Sequence, residues 1–277
     1  MNLRADQGER LIAFLQGRFQ DVSGKFLRKV LDANQCKVNG QVERFGSRML
    51  KKGDWIELSP GWENRICRKW TFDTLYEDEE IQIVNKPAGW ICDPKSALLT
   101  FGPHRFLVHR LDKETTGALI LAKNLEVKNL LFEMFEQRQI GKEYLAIVDG
   151  IPTQKKGEIR SFLMKKGFFE GQTIWGSGPK GFLAITEWET LRSSHEISLL
   201  RVYPQTGRTH QIRVHMAEMG HPIVIDRQYA KKYSCSLFGV RTLLHAERLH
   251  LNFKGRVIDV KAPLFPDMEA CVPQNGS

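Results

Sequence analysis

The stretch HRLDKETTG, His109 to Gly117, sets Asp112 beside Arg110, after the apolar run FLVHRL and before a second, GALILAK. A carboxylate in the link between two buried strands is held on rigid supports, as a nucleophile or base must be. The same position suits an Asp that only caps its own turn. Downstream, PQTGRTHQIRVH puts Gly207 and Arg208 ahead of a helix that carries His210, Gln211 and Arg213. An arginine at a helix start works against the helix dipole by a few tenths to ~1 kcal/mol, and an anion nearby relieves the conflict. Asp112 is the candidate anion. In KEYLAIV, Tyr144 joins a flat apolar ring to a polar tip that could stack on a base, though periodicity alone favours a place in the core.

Other chemistries lack their residues. Neither GxGxxG nor GxxxxGK[ST] occurs, which disfavours dinucleotide and phosphate-loop enzymes, and the histidines show no HExxH or Cys/His ligand spacing, so no metal is expected. A carboxylate-based glycoside hydrolase needs a second placed carboxylate, and Glu114 reads as a solvated loop residue. Cys36, Cys67, Cys92, Cys235 and Cys271 form no CxxC pair and are odd in number, which fits free thiols better than a disulfide framework. No apolar run approaches the ~18–20 residues that span a bilayer, and the start lacks a signal-peptide pattern. A folded cytoplasmic monomer without a membrane partner is the expectation.

The net charge of +9 and pI near 9.3 point to a polyanionic partner. That charge is uneven: residues 1–70 carry 14 Lys and Arg against 8 Asp and Glu, and the rest of the chain 27 against 24. The change from CRKWTFDT to YEDEE marks a boundary, giving residues 1–60 as one domain, 61–73 as a linker and 74–277 as a second domain. In the first, GERLIAFLQGRF and SGKFLRKVLDAN read as short amphipathic helices, Ser23 capping the second and Lys25, Arg28 and Lys29 facing water. Asn39-Gly40 marks a hairpin, and KKGDWIEL supplies a closing strand.

In the second, IQIVNKP, FLVHRL, GALILAK, EYLAIVDG, FLAITEWETL, EISLLRVYP and LLHAERLHLNF read as strands. EVKNLLFEMFEQ and THQIRVHMAEMG read as helices. Many strands without a regular βαβ rhythm indicate an α+β fold with a mixed, largely antiparallel central sheet, beside a small α+β N-terminal domain.

These segments, taken in order as YEDEEIQIVNKPAG, HRLDKETTGALILAK, KEYLAIV, GRTHQIRVH, GHPIVIDRQY and LLHAERLHL, resemble the RluA-type pseudouridine synthases. The N-terminal helices, the VNG hairpin and the GDWIEL strand resemble the S-four-like RNA-binding domain often found ahead of that fold. The resemblance implies that Asp112 is the catalytic aspartate, Tyr144 the active-site tyrosine, Arg208 the arginine paired with Asp112, and Arg110 the arginine that displaces the target base. His210, Gln211 and Arg213 would contact substrate. Lys25, Arg28 and Lys29, with Arg44, Arg48, Lys51 and Lys52, would follow RNA phosphates. The implied reaction isomerises a uridine in RNA without cofactor or metal. Ribosomal large-subunit RNA is the favoured substrate, transfer RNA the runner-up, and a non-catalytic RNA-binding or assembly factor the rival reading. Two departures stand out. WICDPKSALLTFGP is short where relatives carry a longer insertion with a helix, and Ile225 stands where glycine is usual.

Overall fold

The computed structural model describes all residues except 21, 33, 60–69, 170–171, 231–232, 238–240 and 274–277. Most of the linker expected over 61–73 therefore lies outside the described residues. The chain divides into two compact units, Met1–Lys69 with Phe168–Thr173, and Trp70–Gly167 with Ile174–Ser277.

That first unit contains β1 (Asn2–Arg4), α1 (Leu11–Arg18), α2 (Gly24–Asp32), β2 (Cys36–Val38), β3 (Gln41–Val42) and β4 (Trp55–Leu58). Its sheet runs β1-β4-β2-β3. The Phe26 N–H donates to the Ser23 hydroxyl (3.2 Å) at the start of α2. Leu27, Val30 and Leu31 then pack with Leu11, Leu15 and Ile56, which leaves Lys25, Arg28 and Lys29 exposed. Asn39 and Gly40 have φ of 52° and 79°, as a two-residue hairpin turn requires. Arg44, expected on the phosphate-facing surface, is instead buried with its guanidinium hydrogen-bonded to Asn34.

The larger unit starts with β5 (Asp73–Glu77), β6 (Ile81–Lys86), α3 (Pro94–Phe101), β7 (Phe106–Leu107), β8 (Thr116–Ala122), α4 (Leu125–Glu136) and β9 (Gly141–Asp149). It continues with β10 (Lys156–Phe169), β11 (Gln172–Ser177), β12 (Phe182–Ser193), β13 (Ile197–Pro204), α5 (Gln211–Glu218), β14 (Leu244–Phe253), β15 (Arg256–Lys261) and α6 (Pro266–Glu269). Eleven strands form one sheet in the order β11-β10-β12-β13-β9-β14-β8-β6-β5, with β15 added to β14 and β7 to β8. Of the described pairings only β14 with β8 is parallel, so the sheet is mixed and largely antiparallel, as expected.

Strand β8 is buried on both faces, which explains its unbroken apolar run. Ala118 and Ile120 join a core with Ile83, Leu131 and Phe253, while Leu119 and Leu121 join Val84, Trp90 and Leu111. Gly117 is required by the parallel pairing. A Cβ there would stand 2.2 Å from the Ala246 carbonyl oxygen, and its φ of +112° is unfavourable for other residues.

Two expectations need correction. FLVHRL forms a strand only at Phe106–Leu107, because the Ile120 N–H that would continue the ladder donates instead to His109 Nε2 (3.0 Å). WICDPKSALLTFGP, read as a short link, contains α3. Asp93 caps it by accepting from the Lys95 and Ser96 N–H groups (3.0 Å each), and Pro94 opens it.

His109 and His245 both fasten β8 as neutral rings. The Thr116 hydroxyl donates to His245 Nδ1 (2.8 Å), whose Nε2–H donates to the Ala262 carbonyl (3.1 Å). Burial, with Lys142 second, pushes His109 down to about 3, and burial also lowers His245 to about 4. The unfolded chain therefore binds more protons than the folded one below the ordinary histidine value of about 6.5. Stability must fall as pH drops from there towards 4, by up to ~1.4 kcal/mol per pH unit for each ring. Urea unfolding at pH 7 and pH 5 is expected to show this loss, and His109→Gln should lose less; an identical pH dependence in the variant would count against it.

Candidate active site

The loop between β7 and β8 is pinned from below by the NKPAG turn. Lys86, fully buried, donates from Nζ to the Pro87 and Lys113 carbonyls (2.9 and 3.2 Å), and the Gly89 N–H also donates to Lys113 (2.7 Å). The Leu111 N–H donates to Cys92 Sγ (3.4 Å), and the Thr115 N–H closes the turn on the Asp112 carbonyl (3.1 Å). The carboxylate of Asp112 is left free of its own turn. Among the described residues no backbone N–H donates to it, which removes the capping explanation. Glu114, read as solvated, is buried.

The partner of Asp112 is Arg213. Its Nη1 donates to Asp112 Oδ2 (3.2 Å), while Nε and Nη2 bind Asp226 through both oxygens (2.7 and 2.8 Å) and Nη2 also reaches Gln228 Oε1 (2.8 Å). The guanidinium lies over the Tyr229 ring, 4.9 Å from its centroid. Asp226 is fully buried and further accepts from the Gln228 and Tyr229 N–H groups (3.1 and 3.3 Å).

Arg208, expected in this role, is turned away: its Nε donates to the Leu183 carbonyl (3.1 Å) and its guanidinium stacks on Phe182. Gln211, expected to touch substrate, lines the pocket that holds Asp112 but is buried, and its side-chain amide is engaged by the protein. It accepts from the Thr206 hydroxyl and the Arg208 N–H (2.6 and 3.0 Å) and donates to the Ile185 carbonyl and Thr186 hydroxyl (2.9 Å each). Those four bonds fix the GRTH turn. Sequence reasoning does not single out Asp226, although the neighbouring Ile225 stands out as unusual. Its φ of 67° is a left-handed conformation that a β-branched residue tolerates poorly, which is why glycine suits the position.

His210 starts α5 and points its Nε2 at Asp112 Oδ2, 3.8 Å away. Tyr229 accepts the Trp175 N–H (3.1 Å) and contacts His210 Nδ1 (2.7 Å), so its own proton goes to Nδ1 and the imidazole proton sits on Nε2, facing Asp112. Burial alone would raise the Asp112 carboxyl; His210, Arg213 and Arg110 outweigh it and hold the group below the ordinary carboxylate range. Burial drives His210 below the usual imidazole range, so the two guanidiniums carry that pull at neutral pH.

Asp112, Tyr144, Arg110 and Arg208 line one pocket of about 110 Å³, together with His210 and Arg213. Tyr144 reaches it from β9, opposite Val202 on one side and Ala246 on the other. Burial, with the Asp112 charge second, pushes its phenol upward, so it stays protonated.

A family model described as RNA pseudouridylate synthase matches residues 80–218, the span that holds Asp112, Tyr144 and Arg213. This chain belongs to that family. Among curated relatives, an uncharacterized RNA pseudouridine synthase of Aquifex aeolicus is 34% identical over 274 residues, covering 88% of this chain and 85% of that one. Ribosomal large subunit pseudouridine synthase D of Haemophilus ducreyi is 31% identical, covering 94% of this chain and 89% of that one. Among solved structures, human RNA pseudouridylate synthase domain containing 1 aligns with a TM-score of 0.61 at 26% identity, over 73% of this chain and 88% of that one. The chain is thus an RNA pseudouridine synthase of the RluA type, an isomerase acting on RNA.

For this pseudouridine synthase, Arg213→Gln should abolish turnover and lower stability by about 3–5 kcal/mol, since Asp226 would stay buried without its cation. Arg208→Gln should leave the unfolding midpoint nearly unchanged. Chemical unfolding of the two variants separates the assignments, and equal destabilisation would contradict them.

Proposed function

We propose that this enzyme modifies uridine in large-subunit ribosomal RNA, with Asp112 as the reacting carboxylate, Arg213 orienting it, Tyr144 against the base and Arg110 at the pocket mouth. The observation that carries the reading is the Asp112 carboxylate, freed from its own turn and held ionised by Arg213 in a pocket only about 110 Å³ in volume. A pocket of that size suits a single base, so the target must leave its stack. Eversion costs a few kcal/mol, offset by aromatic and cationic contacts. An anionic carboxylate facing a polyanion is a liability for a pure binder, which favours catalysis over the assembly-factor reading.

The RNA class is supported by the relatives named as ribosomal large subunit pseudouridine synthases, which align over more than nine-tenths of this chain. Residues 1–60 then serve as an S-four-like RNA-binding domain, with Lys25, Arg28 and Lys29 exposed on α2 to meet phosphates. Residues 74–277 form the catalytic domain.

Asp112→Asn should eliminate pseudouridine formation in large-subunit ribosomal RNA while RNA affinity stays within about threefold; retained turnover would overturn the catalytic assignment. Pseudouridine mapping in cells with and without the protein should show loss from that RNA, and loss confined to transfer RNA would overturn the substrate class. Replacing Lys25, Arg28 and Lys29 together by Glu should weaken binding and flatten its salt dependence, and an unchanged salt slope would contradict the N-terminal assignment.

A further inference from the structure

The catalytic pocket opens into a larger groove of about 830 Å³, and the two share Arg110, Lys142, Tyr144 and Arg208. One wall is the end of α4 with Phe132 and Phe135; the other is the end of β13 and the turn through Gly207. Lys142 stands between them, half-buried, with its Nζ beside Gly207: a Cβ on that glycine would lie 3.9 Å away.

Among the described residues no carboxylate or hydrogen-bond acceptor engages Lys142. Burial pushes its ammonium down to about 8, with the nearby charge of Arg138 adding to the effect. Arg138 itself holds a left-handed backbone, φ 59°, just beyond α4 where glycine is the easier choice. Of the carboxylates in the groove, Glu143 is committed to Arg201 and Arg248 (3.6 and 3.3 Å), and Glu136 is exposed. Arg110, Arg138 and Lys142 therefore concentrate positive charge in the groove beside the Asp112 pocket.

We propose that Lys142, with Arg110 and Arg138, binds a backbone phosphodiester of the RNA next to the everted uridine, and that Phe132 and Phe135 receive the neighbouring nucleoside. The inference rests on the reading that the Asp112 pocket takes the base. Eversion turns a nucleotide about its own backbone, so a phosphate clamped at the pocket mouth fixes the axis of that turn. The phosphate also supplies the anion that a half-buried ammonium lacks.

The test uses the full-length enzyme and unmodified large-subunit ribosomal RNA transcript, with affinity measured across salt concentration. Lys142→Met should weaken binding about tenfold and reduce the slope of log affinity against log salt by roughly 0.7, the share of one single-strand phosphate contact. Lys142→Arg, which keeps the charge, should restore most of the slope. An unchanged slope in Lys142→Met, or turnover lost with affinity intact, would overturn the phosphate site. Repeating the measurement in the Asp112→Asn background separates the two readings, because the slope is then read without turnover. A Lys142 effect that persists there supports the clamp whatever becomes of the catalytic assignment.

Discussion

The buried ion pair between Arg213 and Asp226 is the constraint on which the site depends. A guanidinium offers five N–H donors in a rigid plane, and bidentate pairing with Asp226 fixes that plane. Only one edge is left to face the pocket, and Asp112 meets it at 3.2 Å. A lysine could supply charge but not this geometry. The arrangement explains why α5 is buried along residues 211 to 216, Arg213 and His215 included: the helix is sealed into the fold to aim one side chain. It also explains the tolerance for Ile225 at φ 67°, an arrangement costing ~1–2 kcal/mol, because the following residue is Asp226.

The carboxylate end of the pair is positioned with equal economy. Lys86 and Gly89 draw the β7–β8 loop down through Lys113, His109 ties it to Ile120, and Gly117 lets β14 pass against its far end. The motif's Lys113, His109 and Gly117 thus have mechanical parts, while the Asp112 side chain is spared from satisfying the local backbone. Arg208, stacked on Phe182, lines the same pocket and is held by a carbonyl rather than by a carboxylate.

The ordered motifs made Asp112 and Tyr144 legible where strand patterning did not, since Asp112 lies in the loop between β7 and β8 and Tyr144 within β9. The sequence could not separate Arg208 from Arg213. Dipole reasoning favours the arginine ahead of the helix, whereas the choice depends on which side of α5 meets Asp112, a tertiary fact. Amphipathic reasoning also fails for a helix buried along residues 211 to 216, and so it does not show that Gln211 braces the GRTH turn as well as lining the pocket. Helix α3 did carry a local signal, Asp93 followed by Pro94, outweighed by the shortness of its segment. The strand expected through FLVHRL broke off early because a side chain, invisible to periodicity, took a ladder hydrogen bond. The edge strand β1 is three residues long, and its pairing is set by β4, some fifty residues further on.

Under the proposed function, the small pocket and the wide groove beside it divide two tasks, holding one base and guiding the strand that carries it. The most direct test is a crystal structure of the Asp112→Asn enzyme with a uridine-containing fragment of large-subunit ribosomal RNA. The account predicts a uridine turned out of its stack, its ring against Tyr144 and its reacting edge in contact with residue 112, with Arg213 still bound to Asp226. A target uridine left stacked in the RNA, or seated away from residues 112 and 144, would contradict it.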